Sequence, residues 1–127
     1  IEAGLKPPVM QVGNLLASRD FSHVHDVVRA FEAAALRGGA GEAYNVCMGR
    51  SYTMREALDA MLRRSKVEIA TELDPARMRP SELPGIVGAN NKLRAETGWA
   101  PEKTFDDLID DLLAYWRRRV LTEVGGK

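Results

Sequence analysis

Short apolar runs alternate with longer segments of helical periodicity along this chain, and this alternation restricts it to mixed α/β folds. The runs PVMQVG, EAYNVCMG and KVEIATEL predict short strands at residues 8–13, 42–49 and 66–73. Helical periodicity predicts helices at residues 22–39, 52–65, 90–98 and 104–121. No repeat or linker divides the 127 residues, so we predict one small, helix-rich α/β unit over residues 1–127.

Local signals define the ends and faces of the first three predicted helices. In the first helix one face carries a set of apolar residues at helical spacing: Val24, Val27, Val28, Phe31 and Ala35. Thr53, followed three residues later by Glu56, predicts a capping box at the start of the second helix. Gly98 is expected to end the third helix, because glycine adopts the left-handed conformation without strain.

The last predicted helix has the clearest amphipathic pattern. Asp106 and Asp107 lie in its predicted first turn and Arg117–Arg119 in its predicted last turn, an arrangement that suits the helix dipole at both ends. The three arginines are therefore interpreted as a solvated helix end and not as a phosphate-binding patch.

Charge and cysteine content exclude several classes of function. Eighteen basic and eighteen acidic residues cancel, so no overall field attracts nucleic acid or an anionic membrane. No apolar run approaches the roughly 18 residues of a membrane span. Cys47 is the only cysteine, so the chain forms no internal disulfide, and a reducing cytoplasm is the expected location. Any site for an anion must therefore be local.

The obvious chemical groups do not form a catalytic or metal-binding set in the sequence. Cys47 lies in an apolar run and is interpreted as a packing residue. His23 and His25 are two residues apart, a spacing that does not share a helix face, and no further ligand follows at a useful spacing. The glycines of RGGAGE follow a helix and precede a strand, the reverse of a dinucleotide-binding turn. We therefore predict no catalytic, cofactor-binding or metal-binding residue in this chain, and no enzymatic activity for the chain alone.

Two irregular segments remain as candidate binding loops. In GNLLASRDF, Arg19 precedes a predicted helix, and in DPARMRPSELP prolines stiffen a loop that carries Arg77, Arg79 and Glu82. Guanidinium groups on stiff backbone suit bidentate contact with phosphate, and a carboxylate can accept a hydrogen bond from a ribose hydroxyl. The alternative interpretation is a surface pair of Arg19 with Asp20 beside a solvated loop.

These segments also carry a family resemblance. The pieces VGNLLASRDFSHVHDVVRAF, GEAYNVCMG, YTMREALD, RPSELP and KLRAETGWAP occur in family order from Val12 to about Trp116. They resemble the C-terminal, substrate-binding part of the extended short-chain dehydrogenases, the NAD(P)-dependent sugar-nucleotide epimerases and dehydratases. GNL…RDF and RPSE resemble most the GDP-mannose 4,6-dehydratases and the GDP-4-keto-6-deoxymannose reductases.

The resemblance implies a set of substrate-binding residues. Arg19 and Arg79 would hold the nucleotide diphosphate, Glu82 would contact the ribose, and Asn14 would lie near the nucleotide. Arg77 is left as a helper or a bystander. The loop that contains Pro75 and Pro80 would then be stiff so that its side chains are held in position for the sugar nucleotide.

The resemblance also implies what lies outside this chain. The Rossmann half of such enzymes carries the glycine fingerprint, the Tyr-x-x-x-Lys pair and the NAD or NADP site, so the chain resembles a domain of a longer enzyme, itself expected to be a homo-oligomer. Apolar surface on the first helix, expected to be covered by the other domain, would favour self-association when exposed.

Three interpretations of function follow. The first is a GDP-sugar-binding domain of a GDP-mannose 4,6-dehydratase, a lyase. The second is the same domain in the reductase, an oxidoreductase, or in another sugar-nucleotide epimerase or dehydratase. The third is a freestanding, non-catalytic binding module in which the arginines are surface residues.

Overall fold

The computed structural model describes residues 1–78 and 83–125. The strands are β1 (Val9–Val12), β2 (Ser18–Asp20), β3 (Ser51–Thr53) and β4 (Ala70–Leu73). The helices are α1 (Val24–Arg37), α2 (Met54–Arg63), α3 (Asn91–Thr97) and α4 (Phe105–Gly125), and a 3₁₀ turn spans Pro75–Arg77. The helix-rich α/β class is confirmed. In the part of the chain described, no helix is long and apolar enough to cross a membrane.

The strands pair in two small sheets. β1 and β4 run parallel, with Val9 opposite Ala70 and Val12 opposite Leu73. β2 and β3 run antiparallel, with Arg19 opposite Tyr52. Residues 18–20 were expected to be part of an irregular segment; their strand geometry comes from this non-local pairing, which three residues of sequence do not reveal.

Two apolar clusters hold the helices together. In the first, α1 packs on α3 through Ala30, Ala33 and Leu93, with Trp99 from the following loop. The small alanines on α1 allow close approach of α3. In the second, α2 packs on α4 through the buried side chains Ala57, Ala60, Phe105 and Ile109. The Tyr52 ring of β3 stacks on Phe105, with centroids 3.9 Å apart, so the small antiparallel sheet is tied to this cluster.

Helix ends follow the predicted signals at two places. The Thr53 side chain accepts the Glu56 N–H, and the Glu56 carboxylate accepts the Thr53 N–H, which completes the predicted capping box. Gly98 ends α3 with φ of 70°, as predicted.

The buried carboxylate of Asp26 joins α1 to the loop before α4. It is 1% exposed and accepts hydrogen bonds from the backbone N–H groups of Glu102 and Lys103 and from the Arg29 guanidinium. Burial by itself raises the pKa of Asp26, but the Lys103 and Glu102 N–H groups and Arg29 together outweigh it, so this pKa lies below its ordinary value. Asp26 therefore stabilises the fold as a carboxylate.

Two elements differ from the sequence-based expectations, and the exposed apolar surface expected on α1 is present. Residues 42–48, all within the described part of the chain, form no strand. The basic triplet does not end the last helix, because α4 continues to Gly125. The apolar stripe of α1 is exposed, with Val24 71%, Val28 60% and Phe31 64% accessible, and the buried side of α1 consists of Asp26, Ala30 and Ala33.

Two arginines of the basic triplet have lateral partners. Arg117 donates to both carboxylate oxygens of Glu2, each at 2.7 Å, and to the Arg64 carbonyl. The guanidinium holds the pKa of Glu2 well below its usual range, at about 2, with burial opposing and the Lys66 N–H assisting. Arg119 pairs with Glu123 one turn further on. Both ion pairs therefore lie within α4 and do not mark its end.

Candidate functional site

The candidate site lies beyond the carboxyl ends of the parallel strands. Gly13 and Asn14 follow β1 directly, and Asp74 follows β4. Because the strands are parallel, both segments leave the same edge of the sheet, which is where ligands bind in parallel α/β sheets. The predicted Asn14 and the proline-containing loop are thus brought to one edge of the molecule.

Close backbone packing fixes how the loop leaves β4. The Asp74 side chain begins the 3₁₀ turn by accepting the Ala76 N–H at 2.9 Å, and it also accepts from Arg77 Nε at 3.1 Å. A Cβ atom on Gly13 would lie 2.3 Å from the Arg77 carbonyl oxygen, so only glycine permits this approach. Arg77 is therefore paired with Asp74, and its main chain rests on the end of β1.

Asn14 shapes the turn that leads to β2. Its Oδ1 accepts the Leu16 N–H at 2.9 Å, which is a local side-chain turn. The next residues are held against the start of α2, because the Leu15 carbonyl accepts the Arg55 N–H at 3.0 Å. The half-buried Asn14 side chain is thus kept at the carboxyl end of β1.

Arg19 lies beside the far end of the same loop. Its Nη1 donates to the Ser18 carbonyl at 2.6 Å and to the Leu83 carbonyl at 3.3 Å. The Ser18 backbone continues this contact: its N–H donates to the Pro84 carbonyl at 2.9 Å, and its carbonyl accepts the Ile86 N–H at 3.2 Å. The guanidinium of Arg19 is therefore oriented by main-chain carbonyls and is adjacent to Leu83.

The predicted residues Arg79 and Glu82 lie outside the described residues. The described residues on either side of them are held in place by other segments. Met78 follows the turn that packs on Gly13, and the Leu83 carbonyl accepts a hydrogen bond from Arg19. The structure thus brings Asn14, Arg19 and both ends of the proline-containing loop to one region.

Asp20 has a structural role that the sequence did not reveal. Its carboxylate accepts the N–H groups of Met48 and Gly49, each at 2.8 Å, and of Gly88 at 3.3 Å. These bonds hold the segments before β3 and after the loop against the end of β2. The only sign of this role in the sequence is the position of Asp20 directly after Arg19 in the RDF motif. The backbone N–H groups that it binds lie 28 to 68 residues further along the chain.

The histidines and the cysteine have structural partners. His23 is buried at the start of α1; its Nδ1 accepts the His25 N–H, and its Nε2 lies 3.1 Å from the Asp111 carboxylate. Cys47 is buried, and burial, followed by the nearby Asp20 charge, raises the pKa of its thiol, which disfavours a nucleophilic thiolate. Among the described residues, no group of three or more His, Cys, Asp or Glu side chains could hold a metal ion.

An apolar cleft of about 390 Å³ lies elsewhere in the molecule. Its walls come from α2, α4 and the first residues of the chain, and include Leu58, Met61, Leu113 and Trp116. Neither Asn14 nor Arg19 lines it. Its apolar walls do not suit a charged diphosphate, so the cleft is separate from the candidate site.

Known proteins similar to this chain are named for reactions on sugar nucleotides. GDP-6-deoxy-D-mannose reductase of Pseudomonas aeruginosa is 36% identical over 123 residues, which are 97% of this chain and 40% of that protein. GDP-mannose 4,6 dehydratase 1 of Arabidopsis thaliana is 29% identical over 132 aligned residues, 98% of this chain and 36% of that protein. The chain therefore spans about two fifths of the length of the curated relatives it matches.

Solved structures show the same fold. RMD from Pseudomonas aeruginosa, complexed with NADPH, matches with a TM-score of 0.86 and 33% identity, over 93% of this chain and 39% of that one. UDP-glucose 4-epimerase of Thermotoga maritima, with UDP-glucose, matches with a TM-score of 0.72 over 87% of this chain and 35% of that one. Its 20% identity indicates a shared fold alone.

The family model described as GDP-mannose 4,6 dehydratase matches residues 1–112. This match covers most of the 127 residues and includes Asn14, Arg19 and the loop with Arg79 and Glu82. The chain belongs to the GDP-mannose 4,6 dehydratase family.

Proposed function

We propose that this chain is the nucleotide-sugar-binding domain of a longer NAD(P)-dependent enzyme, and that its ligand is a GDP-sugar. The observation that carries the proposal is the contact of Arg19 with Leu83, because it joins one predicted phosphate ligand to the loop that contains the other. Family membership supports the ligand class.

Each predicted residue has a physical role in this proposal. Arg19 and Arg79 hold the diphosphate, since guanidinium groups form charge-assisted hydrogen bonds with phosphate oxygens. Glu82 accepts a ribose hydroxyl, and Asn14 lies beside the nucleotide. The carbonyls of Ser18 and Leu83 orient the Arg19 guanidinium before ligand binding, which lowers the entropic cost of ordering it.

The chemical step requires groups outside these 127 residues. A nicotinamide cofactor supplies or accepts hydride, and we assign its binding and the acid–base residues to a dinucleotide-binding domain of the longer protein. The contribution of this chain is to bind and orient the sugar nucleotide.

The sequence left open whether the whole protein is a dehydratase or a reductase, and sequence identity to the relatives favours the reductase. The relative named GDP-6-deoxy-D-mannose reductase is 36% identical, whereas the relatives named as GDP-mannose dehydratases are 24–29% identical. Mass spectrometry of the sugar nucleotide tests the choice in the intact gene product. Loss of water from GDP-mannose identifies a dehydratase, and consumption of reduced cofactor with the 4-keto-6-deoxy sugar nucleotide identifies a reductase.

The binding residues are tested by calorimetric titration of the intact gene product with GDP and UDP. We expect Arg79→Ala and Arg19→Ala each to weaken GDP binding roughly 10- to 100-fold, because a hydrogen bond to a charged group contributes about 1.5–3 kcal/mol. Arg118→Ala, which removes an exposed arginine on α4, is the matched control and should leave binding unchanged. Unaltered GDP binding in both site variants would favour a freestanding module instead.

A further inference from the structure

The described residues that follow the binding loop, 83–88, lie along β2, and we call them the return segment. The Ser18 N–H donates to the Pro84 carbonyl at 2.9 Å, and the Ser18 carbonyl accepts the Ile86 N–H at 3.2 Å. These two bonds make a parallel bridge between Ser18 and Gly85. Both bonds involve a single residue of β2, so a second attachment is needed to fix the direction of the return segment.

The carboxylate of Asp20 supplies this second attachment. Its Oδ2 accepts the Gly88 N–H at 3.3 Å, two residues beyond the first attachment on each segment. A Cβ atom on Gly88 would lie 2.5 Å from Cys47 Sγ, so the main chain of Gly88 packs directly on this buried thiol. The return segment is therefore attached to β2 near both of its ends.

The other partners of Asp20 belong to a segment that is held against the core. Oδ1 accepts the Met48 N–H and Oδ2 the Gly49 N–H, each at 2.8 Å. Successive N–H groups that converge on one anion form a strong, oriented arrangement. The neighbouring Cys47 carbonyl accepts from the buried side chain of Asn90 at 2.8 Å. Asp20 thus connects the return segment to a fixed part of the fold.

This connection requires a carboxylate. Three N–H donors point at the Asp20 side chain, and a carboxylate offers two acceptor oxygens and no donor. The side chain of asparagine has the same shape but replaces one oxygen with an NH₂ group, which would face at least one of the N–H donors. Asp20→Asn therefore disrupts the connection without changing the volume of the side chain.

We propose that Asp20 is a positioning residue for the GDP-sugar, which acts by holding the return segment against β2. The inference deepens the proposed function and rests on it. Leu83, at the start of the return segment, provides a carbonyl that orients Arg19 and directly follows Glu82, the proposed ribose ligand. Displacement of the return segment would therefore disturb the phosphate contact and the ribose contact together.

Calorimetric titration of the intact gene product with GDP tests the proposal. We expect Asp20→Asn to weaken GDP binding by roughly tenfold, since a ligand pays more to order a displaced loop. Asp26→Asn is the matched control, because Asp26 also binds backbone N–H groups of a distant segment, those of Glu102 and Lys103, away from the binding loop. Titrations are made at a temperature at which circular dichroism shows each variant to be folded. Equal loss of GDP affinity in both variants would assign the effect to stability and overturn the proposal.

Amide hydrogen exchange measured by NMR follows the return segment without any nucleotide. In Asp20→Asn we expect the Ile86 and Gly88 amides to exchange at least roughly tenfold faster than in the wild type, because their segment opens locally. The amide of Ala33, in the buried part of α1, should keep its wild-type rate. Uniform acceleration of all three amides, or none, would overturn the role of Asp20 in holding this segment.

A double variant tests whether Asp20 acts through the binding loop. If it does, adding Asp20→Asn to Arg79→Ala should weaken GDP binding by less than about threefold further, because coupled residues are not additive. The full product of the two separate effects would contradict action through the loop. Wild-type binding of GDP with unaltered binding by Asp20→Asn would overturn this inference alone, whereas absence of GDP binding by the wild type would overturn the proposed function and this inference with it.

Discussion

At the scale of single residues, the carboxylates that organise this fold act through backbone N–H groups far away in the sequence. Asp26 and Asp20 each bind two or more N–H groups from other segments. A carboxylate in such a position replaces the hydrogen bonds that irregular backbone would otherwise lack. Sequence periodicity predicts neither, since it carries no information about contacts 28 to 77 residues apart.

The low pKa of Asp26 makes a prediction about stability and pH. Its folded pKa is below the ordinary value of 3.8, so its contribution is complete above that value and is lost as pH falls through the folded pKa. Asp26→Asn should destabilise the fold at neutral pH by about 2–3 kcal/mol, since hydrogen bonds to a charged group are removed.

Urea unfolding followed by tryptophan fluorescence between about pH 3 and 7 measures this effect. Trp99 is a suitable reporter, because its Nε1 donates to the Asp26 carbonyl. Asp59→Asn, at a partly exposed position on α2, is the control and should change stability little. An Asp26→Asn protein as stable as the wild type at pH 7 would exclude this role.

Gly13 gives a second prediction at this scale. A Cβ atom at this position would meet the Arg77 carbonyl at 2.3 Å, so Gly13→Ala must displace the turn that begins the binding loop. We expect GDP affinity of the intact gene product to fall by roughly tenfold, with a destabilisation of about 1–3 kcal/mol from overpacking.

Calorimetric titration and thermal unfolding, measured on the same samples, separate the two effects. Gly39→Ala is the matched control, because its Cβ would meet the exposed Glu42 side chain at 3.0 Å, away from the loop. If Gly13→Ala and Gly39→Ala bound GDP equally well, the close approach at Gly13 would have no part in positioning the loop.

At the scale of elements, the apolar run at residues 42–49 packs against the core without forming a strand. The predicted strand at 42–49 is irregular, yet Tyr44 and Val46 pack against the first core cluster and Cys47 is buried. Its backbone is held by side chains: Asp20 accepts the Met48 N–H, and Asn90 donates to the Cys47 carbonyl. Hydrophobicity alone therefore does not distinguish a paired strand from an irregular buried segment.

The helices were predictable where capping and periodicity agree. The capping box of α2 and the glycine at the end of α3 are local signals, and both appear in the structure. The end of α4 was not predictable, because two arginines of the triplet are paired along the helix. Glu123 is adjacent to Arg119 only once the helix has formed, and Glu2 is adjacent to Arg117 only in the folded chain.

At the scale of the whole molecule, the described residues of the predicted site lie together in one region, and their role in binding stays a prediction. Asn14 and Arg19 are placed at one edge with both ends of the loop, as the motifs suggested. The apolar stripe of α1, by contrast, predicts an apolar face of the helix but does not show which surface packs against that face. Within this chain α1 buries its alanines and leaves its larger apolar side chains in water. Contiguous exposed apolar surface of this kind is typical of an interaction site.

This exposed stripe predicts self-association of the 127-residue chain. Val28 and Phe31 are 60% and 64% accessible on successive turns of α1, and bringing such surface out of water is favourable. In sedimentation velocity at tens of micromolar, we expect the wild-type chain to form oligomers and the double variant Val28→Lys, Phe31→Glu to sediment as a monomer with unchanged circular dichroism. Leu5→Glu alters a leucine that is 58% exposed outside α1, and this control should still associate. A monomeric wild-type chain would mean that the stripe is too small to drive association alone, whereas loss of association in the Leu5 variant as well would assign it to a surface other than α1.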